Sequence, residues 1–239
     1  MLEKYNTNSF EKDLEELNIK LEKRQMCQFF KYYELLVEWN SFMNLTGITE
    51  FEEVVIKHFV DSLSLVKAVD LKQNLSLIDI GTGAGFPGLV IKIVYPNLKV
   101  TLIEPIGKRC KFLQSVIDRL ELKDIYVINE RAEDAVKKYR ESFDIVTARA
   151  VASLNILSEI CVPFVKINGL FIALKGSSYQ EEIDNACRAV GKLKVKLTKK
   201  VLLELPLKLG ERSILVYKKT ESTPNIYPRL YAKIKKNPL

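Results

Sequence analysis

The chain of 239 residues contains one histidine (His58), one tryptophan (Trp39) and four cysteines, Cys27, Cys110, Cys161 and Cys187, none of them in a CxxC pair. One histidine and scattered thiols offer no zinc-ligand spacing, so no metal is expected and the cysteines read as reduced. No apolar run reaches the ~18 residues of a membrane span, because charges interrupt every candidate. The opening MLEKYNTNSFEKDLEEL has no apolar signal core, and the expected location is the cytoplasm. Internal repeats are absent too, as is any low-complexity block beyond a basic end. What remains is 47% apolar and 28% charged, an ordinary globular balance that excludes global disorder. The length suits one large domain, or one domain with a modest extension.

The net charge of +7 is unevenly placed. Residues 188–239 hold 14 Lys or Arg against 3 Asp or Glu, a net of +11, which leaves −4 on the other 187 residues. A basic segment of this kind attracts polyanions by steering and counterion release. By itself it is equally a solvated, solubilising face.

Hydrophobic spacing divides the chain. Phe10, Leu14, Leu17 and Leu21 recur at helical intervals, followed by Met26, Phe29, Phe30, Tyr33, Leu36 and Val37. Asn44-Leu45-Thr46-Gly47 interrupts this pattern. Thr49 and Glu52 then have the spacing of a capping box ahead of Val54, Val55, Phe59 and Leu63. Residues 1–70 therefore read as a helical N-terminal extension. From residue 75 strands and helices alternate. Strands are predicted at 75–81, 99–104, 125–129, 143–148 and 169–176, with helices at 89–95, 108–120, 132–139, 152–162 and 181–190 between or after them. Two further strands, 193–204 and 212–217, follow each other without a helix, which implies a hairpin and one antiparallel strand. Short apolar strands between amphipathic helices argue for an α/β sheet covered on both faces. The units expected are an extension at 1–70, a sheet domain at 71–219 and a basic tail at 220–239, which either docks or stays mobile.

The strongest local signal is Asp79-Ile80-Gly81-Thr82-Gly83-Ala84-Gly85-Phe86-Pro87-Gly88. Glycines between a strand and a helix let a ligand approach the backbone closely. Dinucleotide enzymes use G-x-G-x-x-G, whereas here the spacing is G-x-G-x-G behind an acidic strand residue. This resembles the first motif of class I S-adenosylmethionine methyltransferases, whose cofactor carries an amino acid and a sulfonium in place of a pyrophosphate. Glu104 ends the second strand, 23 residues after Gly81, where a carboxylate accepts both hydroxyls of a ribose; the alternative is an acid capping the next helix. Arg131-Ala132-Glu133-Asp134 follows the third strand, where such enzymes contact adenine. The fourth strand ends in Thr147-Ala148-Arg149-Ala150. It lacks the Asn/Asp-Pro-Pro-aromatic motif of amine methylation and the nucleophilic cysteine of cytosine-C5 methylation. A target that already offers a lone pair, such as guanine N7, needs neither, and catalysis reduces to alignment. Arg149 either positions the substrate or pairs with Asp79 or Glu104. His58, one turn from Asp61 and Ser62, is either a satisfied core residue or part of a polar cluster facing the pocket. Trp39, Phe42 and Met43 read as packing first and as a base-stacking platform second.

These motifs together resemble the bacterial 16S ribosomal RNA guanine-N7 methyltransferases, the glucose-inhibited division protein B family. The likeness covers nearly the whole chain: Trp39-Asn40, Asn44-Leu45-Thr46, His58 with Asp61-Ser62, residues 79–88, Gly107-Lys108-Arg109 with Phe112-Leu113, Arg131-Ala132-Glu133, Ala148-Arg149-Ala150 with Ala152-Ser153-Leu154, Leu174-Lys175-Gly176, and Tyr227-Pro228-Arg229 through Asn237-Pro238-Leu239. The resemblance implies a class I, Rossmann-like fold with a mostly parallel seven-stranded sheet. It implies methyl transfer from S-adenosylmethionine to N7 of a guanine near the decoding region of 16S ribosomal RNA, free or in the small subunit. Asp79, Gly81, Thr82, Gly83, Gly85, Phe86, Glu104, Ala132, Glu133 and Arg149 would then hold the cofactor. Arg149 would also face the methyl-transfer site, and Lys108, Arg109, Lys175, Arg212 and Arg229 would lie nearest the RNA. Glu104 stands where the family can carry Asp. Two other readings remain open at this stage: a class I methyltransferase of proteins or small molecules, and a non-catalytic RNA-binding factor on the same fold.

Overall fold

The computed structural model describes Tyr5 and residues 7–239; the remainder of the stretch 1–6, where the expected N-terminal extension begins, lies outside the described residues. The chain opens with helices α1 (Asn8–Glu16) and α2 (Lys23–Met43). A broken helical segment follows, made of α3 (Phe51–Val54), a π-helical turn (Val55–Val60), α4 (Asp61–Leu63) and a 3₁₀ turn (Ser64–Lys67). Then come β1 (Ser76–Ile80), α5 (Gly88–Val94), β2 (Lys99–Ile103), α6 (Gly107–Arg119), β3 (Ile125–Ile128), α7 (Ala132–Tyr139), β4 (Phe143–Arg149), α8 (Leu154–Cys161), β5 (Val165–Lys175), α9 (Tyr179–Leu193), β6 (Val195–Glu204), β7 (Glu211–Lys219) and α10 (Tyr231–Lys236).

The seven strands form one sheet in the order β3-β2-β1-β4-β5-β7-β6. β7 runs antiparallel to both β5 and β6, as the helix-free hairpin implied, and the other pairings are parallel. The order reverses between β1 and β4, the switch point where ligands enter open α/β sheets. Alternation along the strands sends Leu77, Leu102, Ile145, Ile172 and Ile214 to one face, with α1, α2, the 51–67 segment, α5 and α6. Ile78, Ile103, Val146, Phe171 and Tyr217 go to the other face, under α7, α8, α9 and α10.

The helical residues before β1 are thus half of a covering layer that shares one core with the sheet. Residues 220–239 pack as well. The Arg140 guanidinium donates to the carbonyls of Thr223 (2.7 Å), Pro224 (3.1 Å) and Tyr227 (2.8 Å), and Ile234 and Leu239 are buried in the second core. That settles the tail as docked. Two local expectations need correcting. The first helix stops at Glu16, because Asn18 takes a left-handed conformation (φ 55°) that turns the chain before Leu21. The capping box expected at Thr49 and Glu52 does not form: Glu50 is the N-cap, and the Thr49 carbonyl accepts the Tyr33 hydroxyl. The box lies instead at Glu22 and Gln25, opening α2. Among the described residues no helix is long and apolar enough to cross a membrane, and no group of three or more His, Cys, Asp and Glu could hold a metal ion.

Candidate active site

The C-terminal ends of β3, β2, β1 and β4 lie side by side, about 4.8 Å apart. They carry, in that order, Ala132-Glu133, Glu104, the glycine-rich loop and Arg149. The loop is fixed from beneath by Asp79. This carboxylate is fully buried, and its Oδ2 accepts the Thr82 hydroxyl (2.5 Å) and the Gly88 N–H (2.9 Å). Among the described residues its Oδ1 has no partner. Burial lifts the carboxyl to about 6, against the pull of the Thr82 and Gly88 hydrogen bonds. Gly83 is left-handed (φ 60°), and a Cβ there would point into open space, so the backbone is bare on the ligand side. Gly85 answers to packing instead, since a Cβ would overlap Leu89 and the Tyr32 hydroxyl. Tyr32, reaching from α2, donates that hydroxyl to the Ala84 carbonyl.

Glu104 is buried at the end of β2. Its Oε2 accepts the Gly83 N–H and its Oε1 the Ile106 N–H, both at 3.0 Å, with Arg109 at 3.8 Å. Each oxygen keeps acceptor capacity. The unpartnered buried Oδ1 of Asp79, the bare edge at Gly83 and the spare lone pairs of Glu104 suit a ligand with a cationic end and a hydroxyl pair. That is the chemistry of S-adenosylmethionine.

At the end of β4, Arg149 meets neither Asp79 nor Glu104. Its Nη1 donates to Asp61 Oδ2 (2.7 Å) and to the Lys57 carbonyl (3.0 Å), which the π-helical turn presents. Asp61 is 2% exposed, and its Oδ1 accepts Arg212 Nε at 3.0 Å. One buried carboxylate therefore joins two guanidiniums from β4 and β7. The His58 ring stacks on Phe86 (4.5 Å between centroids, 23°), its Nε2 is 2.9 Å from Thr46 Oγ1, and its Nδ1 is 3.3 Å from Arg149 Nη2. Burial first, and then the Arg149 charge, hold the imidazole down at about 4, so it is neutral at pH 7. Arg149 also lies 5.1 Å over the Phe86 ring. A hollow of about 420 Å³ opens beside this cluster, bounded by His58, Asp61, Arg149, Lys175, Glu182 and Arg212.

The structure brings together the glycine loop, Asp79, Glu104, Arg149 and His58. It changes the expectation for several others. Phe86 is buried between Tyr32 and His58, so it supports the site from below. Arg229 does not stand free for RNA: it grips fully buried Glu159 through Nε (2.8 Å) and Nη2 (2.6 Å). Arg212 and Lys175 are tied to Asp61 and Glu182 in the wall of the hollow. Lys108 is exposed at the start of α6, with no ion pair among the described residues, and Arg109 leans on Glu104. Cys161 is buried, with its thiol pushed well up by desolvation, and Cys110 packs against the Glu104 carbonyl. Neither is a nucleophile. Asp61 and Glu182 are the polar residues missed as site members, and only the His58-Asp61 spacing hinted at the first.

A family model described as GidB, rRNA small subunit methyltransferase G, matches residues 25–214. The chain belongs to this family. It is 49% identical over 234 residues to the ribosomal RNA small subunit methyltransferase G of Lachnoclostridium phytofermentans, covering 97% of each chain. Identity to the protein of the same name from Acetivibrio thermocellus is 48%, over 92% of this chain and 91% of that one. Among solved structures, the fold matches a 16S rRNA (adenine(1408)-N(1))-methyltransferase variant from Catenulisporales acidiphilia with its cosubstrate SAM. The TM-score there is 0.52 at 12% identity, over 64% of this chain and 88% of that one. Members of the methyltransferase G family use S-adenosylmethionine, and this chain is an enzyme of that class on the seven-stranded methyltransferase sheet.

Proposed function

We propose that the enzyme methylates N7 of a guanine in 16S ribosomal RNA, near the decoding region, with the RNA or the small subunit as its partner in the cytoplasm. The observation that carries this reading is that each titratable side chain named at the acceptor end is held neutral or tied to a cation. There, among the described residues, His58 is held at about 4, Asp61 is occupied by Arg149 and Arg212, Glu182 is paired with Lys175, and no thiol is present. Methylating an exocyclic amine or a carbon requires a proton to leave. Guanine N7 attacks with a lone pair and releases none, so holding the two reactants in line is enough.

When bound, S-adenosylmethionine supplies an electrophilic methyl group on a sulfonium. Gly81, Thr82, Gly83 and Gly85 would line it along the backbone, with Asp79 at its ammonium end, Glu104 on the ribose, and Ala132 and Glu133 beside the adenine. Arg149, held between Asp61 and His58, fixes the wall against which the guanine stacks and aligns. Lys108 and Arg109 stand where a phosphate backbone would pass. The names of the relatives and the exposed cation at Lys108 support RNA as the acceptor.

The test supplies labelled S-adenosylmethionine with 16S RNA, or with small subunits, from a strain lacking the gene. Label should enter the RNA at one guanine, revealed by primer extension after alkaline cleavage at N7-methylguanine. Label in protein or in small molecules alone, or at a position other than N7, would overturn the proposal.

A further inference from the structure

The hollow beyond β4 and β5 has a second wall that methyl transfer as derived above does not use. Lys175 ends β5 with its side chain 8% exposed. Its Nζ donates to the Ala152 carbonyl (2.6 Å) and to Glu182 Oε2 (2.5 Å). The same Oε2 accepts the Leu154 N–H at 2.7 Å. An ammonium has three donors and each carboxylate oxygen has room for about two. Among the described contacts, therefore, one Nζ–H and all of Glu182 Oε1 are unused. The ion pair holds a spare donor and a spare acceptor next to each other at the edge of a space large enough for a base.

A neighbouring donor and acceptor complement guanine, whose O6 accepts beside an N1–H that donates. Adenine reverses the order, with an amino donor in place of O6 and an acceptor at N1, and would leave both protein groups facing their own kind. Position agrees with chemistry. Along the guanine edge the atoms run N7, O6, N1. A base seated with O6 and N1–H on the ion pair therefore has N7 on the Lys175 side, away from Glu182, within the hollow that Arg149 also bounds. Arg149 is in register with Leu174, so Lys175 lies one residue further along the adjacent strand and leaves from the other face of the sheet, and both side chains bound the hollow at the strand ends.

We propose that Lys175 and Glu182 read the acceptor base, Lys175 donating to O6 and Glu182 accepting N1–H. The pair thereby selects guanine and presents N7. This rests on the guanine-N7 reading above and adds the residues that would enforce it. The N2 amino group is left unread, so inosine counts as guanine for this site.

The experiment uses 16S RNA ligated to carry guanine, inosine, N1-methylguanine or adenine at the mapped position. Single-turnover methylation is measured with the wild type, Glu182→Gln and Glu182→Ala, and cofactor calorimetry on each variant reports whether it is folded. Wild type should take inosine within about threefold of guanine and N1-methylguanine roughly 10–100-fold more slowly, the range for a hydrogen bond to a charged group. Adenine should stay unmodified. In Glu182→Ala the guanine to N1-methylguanine ratio should collapse toward one. Equal wild-type rates on those two bases would overturn the proposal. So would a Glu182→Ala enzyme slowed on both by the same factor, the mark of a purely structural tie. If wild type methylates none of these RNAs, the substrate assignment itself falls and takes this inference with it; equal rates on guanine and N1-methylguanine remove this inference alone.

Discussion

The two halves of the site are built differently. At the ends of β1 and β2 a bare glycine edge lies over two buried carboxylates that hold the loop through its backbone N–H groups, with Arg109 no nearer to Glu104 than 3.8 Å. At the ends of β4 and β5 the surface is made of ion pairs between distant segments, Asp61 with Arg149 and Arg212, and Lys175 with Glu182. The first half is preorganised by chain geometry. The second is preorganised by charge, and each of its parts depends on a partner from another element. A small cofactor of constant shape suits the first arrangement, and a base that arrives on a polyanion suits the second.

The strongest way to break this contrast is Asp61→Ala. It strips the shared acceptor from two guanidiniums, one of which has a side chain only 14% exposed. Methyl transfer should fall by roughly 100-fold or more, and stability by ~3 kcal/mol, the usual cost of leaving a buried charge unpaired. Cofactor affinity, measured by calorimetry below the melting range, should stay within about threefold, because the damage lies in the other half. A collapse of cofactor binding equal to the loss of activity would show the halves to be one unit.

The cofactor half should reveal itself by pH. Its buried Asp79 carboxyl sits at about 6, raised from the usual 3.8. Its protonated form is thus favoured by folding, and Asp79 contributes stability below about pH 4 that is lost as pH rises to 6. A cationic ammonium prefers the ionised form. Cofactor affinity should therefore climb with pH, by up to about tenfold per unit, and level off above 6. Asp79→Asn should flatten that profile. A wild-type profile already flat from pH 5 to 7 would remove Asp79 from cofactor recognition. The imidazole of His58 works in the opposite sense: held at about 4 against 6.5, it costs stability as pH falls through that window.

The smallest effect is expected outside both halves. Lys108→Ala should weaken RNA binding two- to fivefold and lower the salt slope by about one charge, with cofactor affinity unchanged. An unaltered slope would place the RNA path elsewhere.

The contrast also explains what could be read from the sequence. Residues 79–88 and Glu104 were legible because their constraints are local: a strand, a turn that only glycine tolerates and the next strand end. The strand and helix order was legible for the same reason, through period-two and period-3.6 spacing. The acceptor half was not. Asp61 is 88 residues from Arg149 and 151 from Arg212, and no spacing rule links positions so far apart. The path of the basic end was not legible either. Its charge count fitted a docked or a mobile tail equally, and the structure spends Arg229 on Glu159 and Lys219 on Glu141. After Tyr227 the packed face is marked by buried Ile234 and Leu239 with half-buried Tyr231 beside them, too few to show as a pattern.

The hydroxyl of Tyr32 on the Ala84 carbonyl joins positions 52 residues apart. This bond ties the glycine-rich loop to α2 as well as to β1 and α5. Docking of α2 adds this tie to those from Asp79 and Glu104, so the layer built first along the chain and the strand that follows it support one loop. A chain with α2 undocked would keep its sheet but hold the methyl donor on a loop short of one tie, and binding of that donor would report on the N-terminal layer as well as on the sheet.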